Sequence, residues 1–473
     1  MPAEINLFAQ HCGSVSAPAG CGKTQLIADT LKDHFGAKPI LILTHTNAGV
    51  SALRARLVKN KVPNSAYRIS TLDGFAMRLI GRFPKRSNLN PRILELESPK
   101  TDYPTIRETA CALLQSGHLT EVLQASYAGI LVDEYQDCLK IQHYMLTWAA
   151  QALPTSVLGD PMQAIFGFAG KLVDWKTDVE GFYPSLGLLA TPWRWNLAGA
   201  PVFGAWLLAA RTKLQNGQGI DLRTAPAEVT WVQLTAANAD EQRRVAAGSR
   251  PVNNGTVLII GDSTSPQSQQ SICSKTPGAT VVESVELRDL VKFGKSFNPL
   301  SPNALSTLVE YATSLMTGVV PSTLYPRIAS IHNGRNKTPP TLTELLAVEF
   351  TRSPSLGGAI KLLEAFSTQS DTHVYRPEML RCSLYAMNMA LSGGVTFSAA
   401  CVQVRERNRH LGRSVSKRAV GSTLLLKGLE SDMAVVLQPE KMSAQDLYVA
   451  ISRGARQLVI CSENPVLRPP APV

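Results

Sequence analysis

The sequence lacks long apolar runs and paired cysteines. Its 473 residues contain no N-terminal apolar core of a signal peptide and no uninterrupted apolar stretch of about 18 residues, the length that spans a bilayer. Eight cysteines are scattered without a C-x-x-C pair or the spacing of metal ligands, which argues against a zinc or iron–sulfur site and for a reducing compartment. We therefore expect a cytoplasmic protein that does not bind a membrane.

The chain is basic. Lysine and arginine number 47 against 36 aspartates and glutamates, which gives a net charge of +11 and a pI near 9.3. This balance is typical of proteins that follow a phosphate backbone, although many basic proteins bind no nucleic acid. A basic run just before residue 420 is equally well interpreted as a DNA-facing stripe or as a solvated face. Its members are Arg405, Arg407, Arg409, Arg413, Lys417 and Arg418.

A glycine-rich turn lies between two apolar segments near the N-terminus. Residues 17–24 read Ala-Pro-Ala-Gly-Cys-Gly-Lys-Thr, with Ala17 where a first glycine is usual. Backbone amides in such a turn surround a phosphate, while its lysine reaches the β and γ oxygens and its threonine holds Mg²⁺. The turn therefore predicts an ATP site with Lys23 as a catalytic residue and Thr24 as a Mg²⁺ ligand. The other predicted nucleotide contacts here are Ala17, Ala19, Gly20, Cys21, Gly22 and Gln25.

Two adjacent carboxylates follow an apolar run further along the chain. Residues 128–132 are typical of a buried parallel strand, and Asp133 and Glu134 come directly after it. At that position Asp133 can hold the Mg²⁺ ion and Glu134 can deprotonate the water that attacks the γ-phosphate. The alternative is an acidic cap at the N-terminus of a helix, which the presence of the phosphate loop disfavours.

The acidic segment Asp-Glu-Tyr-Gln-Asp resembles the second motif of UvrD/Rep-like superfamily 1 helicases. Residues 43–48 and 70–76 are similar to two family segments that contact single-stranded DNA. The resemblance implies DNA contacts at His45, Thr46 and Thr71.

A third region, residues 157–170, is similar to the family motif that couples ATP to DNA. The resemblance implies that Gln163 senses the γ-phosphate and the attacking water, and that Phe166 and Phe168 stack on bases. Core packing is the alternative for both phenylalanines. Ala169 stands where the family has an arginine, so the coupling that this arginine provides is in question.

Three later segments complete the resemblance. Residues 191–194 resemble the family's Asn-Tyr-Arg segment, residues 427–430 its Lys-Gly-Leu-Glu motif, and residues 447–456 its last motif. The implied roles are adenine contact for Trp193, ribose contact for Glu430, and γ-phosphate contact for Arg194 and Arg453. Both arginines are expected on a second lobe, so that hydrolysis depends on closure of a cleft. A solvated charge at a helix end is the alternative for Arg453.

These motifs predict an α/β fold with two RecA-like P-loop domains that have parallel sheets and helical insertions. The first domain is expected at 1–75 and 127–185, with a small accessory insertion at 76–126. The second is expected at 186–290 and 401–473, with a helical insertion at 291–400.

The resemblance implies an ATP- and Mg²⁺-dependent translocase or helicase that moves 3′ to 5′ on single-stranded DNA or a tailed duplex. Compact chains of this kind resemble the helicase subunit of Gabija-type anti-phage systems, which implies a nuclease partner subunit. One alternative is a DNA-sensing ATPase that switches a partner nuclease without processive unwinding. Another is a P-loop phosphotransferase with a small substrate.

Overall fold

The structure, a computed structural model, describes residues 5–167, 170–410 and 415–470, without the side chains of residues 409 and 410. Two predicted DNA contacts, Phe168 and Arg413, lie outside the described residues, and so does the side chain of Arg409. No helix within these ranges is long and apolar enough to cross a membrane.

The strands are short, as is usual for buried parallel sheets. In chain order they are β1 (Cys12–Ser16), β2 (Ile40–Thr44), β3 (Tyr67–Thr71), β4 (Gly129–Val132), β5 (Thr155–Gly159), β6 (Ser185–Leu188), β7 (Ile220–Asp221), β8 (Val229–Gln233), β9 (Val257–Ile260), β10 (Thr280–Val281), β11 (Arg418–Gly421), β12 (Ser431–Val436), β13 (Gly454–Ser462) and β14 (Val466–Leu467).

Helices alternate with the strands and also form a long run of their own. They are α1 (Lys23–Lys32), α2 (Asn47–Lys59), α3 (Leu72–Arg82), α4 (Pro84–Ser87), α5 (Pro99–Gln115), α6 (Thr120–Ser126), α7 (Lys140–Ala152), α8 (Glu180–Phe182), α9 (Trp193–Ala198), α10 (Pro201–Gln215), α11 (Ala239–Ala247), α12 (Pro266–Ser274), α13 (Arg288–Ser296), α14 (Ala304–Thr313), α15 (Pro321–His332), α16 (Leu342–Arg352), α17 (Leu356–Ser367), α18 (Pro377–Leu391), α19 (Phe397–His410), α20 (Thr423–Leu426) and α21 (Ala444–Ile451).

Contacts divide the chain into two compact units. The first comprises the described residues of Met1–Val229, Glu440–Arg456 and Pro465–Val473, and the second comprises Thr230–Pro439 and Gln457–Asn464. The grouping by contacts therefore assigns residues 186–229 and 440–456 to the unit that holds the phosphate loop. The four-part domain division inferred from the sequence stays a prediction.

The first unit is built on a six-stranded sheet in the order β3-β2-β4-β5-β1-β6, and its strands pair in parallel. Every residue of β2, β4 and β5 is buried, and β2 and β4 are accordingly apolar along almost their whole length. Because the strands are parallel, the turns that follow β1, β4 and β5 lie at one edge of the sheet, next to one another.

The second unit contains a six-stranded sheet in the order β10-β11-β9-β12-β13-β8. Within it β9 pairs in parallel with β11 and β12, and β10 pairs in parallel with β11. Helices α13 to α19 enclose a separate apolar core that includes Leu308, Leu363 and Ala386, all fully buried. Two sheets of this kind, each flanked by helices, confirm the predicted α/β class with two RecA-like domains.

A buried ion pair joins the helical part of the second unit to its sheet. Arg376, just before α18, donates from Nε to Oε1 of Glu283 at 2.6 Å, and its Nη2 lies 2.8 Å from Oδ2 of Asp289 on α13. Arg376 is only 2% exposed. A buried cation with two carboxylate partners fixes the start of α18 against the segment that follows β10.

Candidate active site in the first unit

The turn between β1 and α1 has the backbone of a phosphate-binding loop. Gly20 has φ 68° and Gly22 has φ 92°, both in the left-handed region that favours glycine. Gly22 caps α1 without a side-chain hydrogen bond, and the first amides of a helix have no partner within the helix. The helix therefore presents backbone donors and the positive end of its dipole toward the loop.

Several amides of this loop are already bonded inside the protein. The amide of Ala17 donates to the carbonyl of Gly159 at 2.8 Å, and the amide of Cys21 donates to that of Pro18 at 3.1 Å. The amide of Ala19 donates to the hydroxyl of Tyr448 at 3.0 Å. These three residues therefore hold the shape of the loop, and their roles as direct nucleotide contacts stay predictions.

Lys23 contacts both carboxylates that follow β4. Its Nζ lies 3.1 Å from Oδ1 of Asp133 and also donates to Oε1 of Glu134. Burial disfavours the charged ammonium, but the two carboxylates outweigh this effect and raise the pKa of Lys23. For Asp133, burial raises the pKa of the carboxyl, Lys23 opposes that rise and Glu134 adds to it. The structure thus brings together the three residues predicted to bind and hydrolyse ATP.

Glu134 has an unusual backbone conformation for a residue with a side chain. Its φ of 57° and ψ of 39° lie in the left-handed region, which costs a non-glycine residue about 1–3 kcal/mol. Its amide donates to Oδ1 of Asp133 at 3.0 Å, and its Oε2 accepts from Nε2 of Gln136 at 2.6 Å. The bonds from Gln136 and Lys23 hold the Glu134 carboxylate, while the bond to Asp133 holds its backbone.

Gln163 lies in a short turn after β5 and is 7% exposed. Its Nε2 donates to Oδ2 of Asp160 at 3.1 Å. Oδ1 of Asp160 accepts from Nε of Arg211 at 3.1 Å and from Nη2 at 2.7 Å. The backbone amide of Asp160 in turn donates to Oε1 of Gln136 at 3.0 Å. Gln163 and Glu134 are therefore connected through Asp160 and Gln136.

The segment at the start of α9 lies on the phosphate loop. The amide of Arg194 donates to the carbonyl of Gly20 at 3.0 Å. A Cβ atom added at Gly22 would lie 3.2 Å from the indole of Trp193. Both predicted nucleotide contacts, Trp193 and Arg194, are thus next to the loop and in the same unit as Lys23.

Arg453 is 2% exposed and lies just after α21. Its Nε donates to the carbonyl of Val449 at 2.8 Å, and its Nη2 donates to Oγ of Ser452 at 2.9 Å. Nη1 of Arg194 donates to the carbonyl of Ser452 at 2.7 Å. Both predicted arginine fingers therefore contact Ser452 at the end of α21, which the contacts group with the phosphate loop. Their location on a second lobe stays a prediction.

Three other predicted nucleotide residues occupy different positions. Thr24 lies half-buried in the first turn of α1. Gln25 donates from Nε2 to the carboxylate of Asp29 at 2.8 Å and to Oδ1 of Asn60 at 3.1 Å. Glu430 is exposed, lies in the second unit just before β12, and stays a predicted ribose contact.

The described DNA-contact candidates lie at the ends of β2 and β3 or, for Phe166, after the short turn that follows β5. The hydroxyls of Thr46 and Thr71 cap α2 and α3, accepting from backbone amides at 3.0 and 2.9 Å. Nε2 of His45 lies 3.4 Å from Sγ of Cys138, and Phe166 is half-buried. His45, Thr46 and Thr71 lie at the carboxyl ends of β2 and β3, in the same sheet as the strand that precedes the phosphate loop. DNA contact by any of the four stays a prediction.

Sequence reasoning missed the residues that support this site. Three of them lie inside the motifs, namely Gln136, Asp160 and Tyr448. They could have been identified by asking which hydrogen-bond partner each polar residue of a motif requires. Arg211 has no motif around it. Its one signal is a single arginine among the apolar residues of α10, at a position that helical periodicity turns inward with Leu207 and Leu214.

Comparison with known proteins agrees with this geometry. Residues 4–103 and 97–175 match the UvrD/REP helicase N-terminal domain. An ATP-dependent helicase/nuclease subunit from Leuconostoc mesenteroides subsp. mesenteroides is 33% identical over 72 residues, or 15% of this chain and 6% of that protein. The chain thus spans a small fraction of this relative's length. The match of residues 4–103 and 97–175 to the N-terminal domain of UvrD/REP helicases supports the predicted class of ATP-dependent, DNA-binding helicase.

Proposed function

We propose that this protein is an ATP- and Mg²⁺-dependent translocase on single-stranded DNA that moves 3′ to 5′ and separates duplexes ahead of it. The observation that supports it best is the cluster of Lys23, Asp133 and Glu134 at a glycine loop, with Arg194 bonded to that loop. The hydroxyl of Thr24 and the carboxylate of Asp133 suit Mg²⁺, which prefers a few oxygen ligands supplemented by phosphate oxygens. The bound ion would neutralise charge on the phosphates.

In this proposal each residue has a defined task. Lys23 exchanges its carboxylate partners for the β and γ oxygens of ATP, while Glu134 accepts a proton from the attacking water. Gln163 orients that water. Arg194 and Arg453 stabilise the charge that develops on the transferring phosphoryl group.

A strand-displacement assay tests the proposal. Duplexes with a 3′ tail or a 5′ tail are incubated with the protein, ATP and Mg²⁺, and the release of the annealed strand is followed together with phosphate. Release from the 3′-tailed substrate alone supports the assigned direction. Release from the 5′-tailed substrate alone would reverse it.

A second candidate function is a DNA-sensing ATPase that switches a partner nuclease. The observation that favours it is Ala169, which replaces the arginine expected to link Gln163 to DNA. DNA-stimulated ATP turnover without strand release on either tail would support this candidate. The anti-phage role rests on the resemblance alone and stays a prediction.

Phe168 offers a test of base stacking. We expect Phe168→Ala to raise the DNA concentration for half-maximal ATPase stimulation about tenfold, because one base–aromatic stack contributes about 1–3 kcal/mol. ATP turnover without DNA should change less than about twofold. Titration of oligothymidylate in a coupled ATPase assay measures both quantities. Phe35→Ala is the matched control, since the Phe35 ring is 92% exposed and outside every motif; an equal shift in that variant would contradict a specific stack.

A further inference from the structure

A buried ion pair lies directly behind the predicted catalytic residues. The side chain of Asp160 has no exposed surface, and that of Arg211 is 10% exposed. Both nitrogens that face the carboxylate donate to the same oxygen, Oδ1, at 3.1 and 2.7 Å. Oδ1 also accepts from the amide of Met162 at 3.1 Å, which leaves Oδ2 for Gln163. The four donors therefore determine the orientation of the Asp160 carboxylate.

This carboxylate determines the orientation of the Gln163 amide. A glutamine amide has one hydrogen-bonding face that donates and one that accepts. Because Oδ2 of Asp160 can only accept, it holds the nitrogen of Gln163 and not the oxygen. The carbonyl oxygen of the same amide is then the atom that can accept a hydrogen bond from a water molecule.

The ion pair also connects to the other catalytic elements. The amide of Asp160 donates to Gln136, whose nitrogen donates to Glu134, so the same residue positions the predicted base. On its other side the guanidinium of Arg211 lies 6.0 Å from the ring centre of Tyr448, whose hydroxyl accepts from the phosphate loop. One buried pair thus contacts three segments that must act together.

We propose that Asp160 and Arg211 are positioning residues for ATP hydrolysis, and that Asp160 selects the amide face that Gln163 presents to the attacking water. This inference rests on the proposed function. It adds that the Gln163 nitrogen faces Asp160 and the Gln163 oxygen faces the water. Neither residue of the pair is assigned a direct contact with the nucleotide. The pair acts through Gln163 and through Gln136.

A donor–acceptor exchange tests the polarity. Asp160→Asn places an amide nitrogen opposite Gln163, so that Gln163 turns its oxygen inward and its nitrogen toward the water. We expect kcat to fall about a hundredfold, the effect of a misplaced group, with KM for ATP changed less than threefold. Gln163→Glu alone places two carboxylates together and should also be slow. The double variant Asp160→Asn, Gln163→Glu restores a donor opposite an acceptor, and we expect kcat at least tenfold above either single variant.

The controls separate positioning from folding. Asp178→Asn makes the same chemical change at the ion pair of Lys140 and Asp178 in the same unit, where the two groups lie 3.2 Å apart, and should keep wild-type kcat. Thermal unfolding and binding of a fluorescent ATP analogue are measured for every variant. If Asp160→Asn does not fold, Arg211→Lys is scored in its place, because it keeps the charge and loses the paired donors; a fall in kcat at constant KM supports the inference.

The outcomes distinguish a failure of this inference from a failure of the proposed function. If the wild type hydrolyses ATP and Asp160→Asn has the same kcat, the positioning role of the pair is overturned. The proposed function then still stands. If the double variant is no faster than the single variants, the assigned orientation of the Gln163 amide is overturned. A wild-type chain that binds the analogue but hydrolyses no ATP, with or without DNA, overturns the proposed function together with this inference.

Discussion

Lys23→Ala is expected to lower DNA-stimulated ATP turnover by at least about a thousandfold, because the variant lacks the cation that faces the transferring phosphoryl group. In the structure Asp133 and Glu134 hold this ammonium at the start of the helix that follows the phosphate-binding loop. The measurement is phosphate release at saturating DNA and ATP.

This substitution also removes a buried cation from two carboxylates. The Lys23 side chain is 12% exposed, and breaking a buried ion pair typically costs about 3–5 kcal/mol. Chemical unfolding must therefore show that the variant is folded under the assay conditions. Lys32→Ala is the matched control, since Lys32 lies on the same helix, is 40% exposed and pairs with Asp29 at 3.4 Å. Turnover above about a tenth of the wild-type rate in Lys23→Ala would show that the lysine is misassigned.

Glu134→Gln is expected to abolish turnover while ATP still binds. A glutamine keeps the size and hydrogen-bonding reach of the side chain but cannot accept a proton from the attacking water, and general-base catalysis contributes about 10²–10⁴ in rate. Lys23, Asp133 and the glycine loop remain in place, so the affinity for nucleotide should change little. Single-turnover hydrolysis and equilibrium binding of a fluorescent ATP analogue separate the two effects.

The same exchange at a surface position serves as the reference. Glu121 lies on α6, is exposed and belongs to no motif, so Glu121→Gln should behave as the wild type. Full hydrolysis by Glu134→Gln would transfer the role of base to another group. Loss of nucleotide binding in that variant would instead indicate that Glu134 shapes the loop.

The central elements of the site could be predicted from the sequence because each is formed by residues that lie close together in the chain. The phosphate loop is a strand, a turn and a helix start within residues 12–32, and Asp133 follows an apolar strand directly. Parallel pairing then places these ends side by side without further information.

The supporting residues could not be predicted because their partners are far away in the chain. The bond between Ala19 and Tyr448 joins positions 429 residues apart, and Arg211 meets Asp160 across 51 residues. No short window of sequence contains both members of such a pair. Glu134 shows a related limit, since its left-handed backbone is imposed by the turn around it and contradicts the preference of glutamate itself.

The route of the chain has a consequence for how the protein is made. Residues 440–456 belong to the unit that begins near the N-terminus, yet the whole of Thr230–Pro439 is synthesised in between. The nascent phosphate loop therefore cannot bond to Tyr448 until 429 further residues after Ala19 have been synthesised. A fragment cut at residue 229 would lack the last helix of its own lobe, so expression of the N-terminal half alone should yield a poorly folded product.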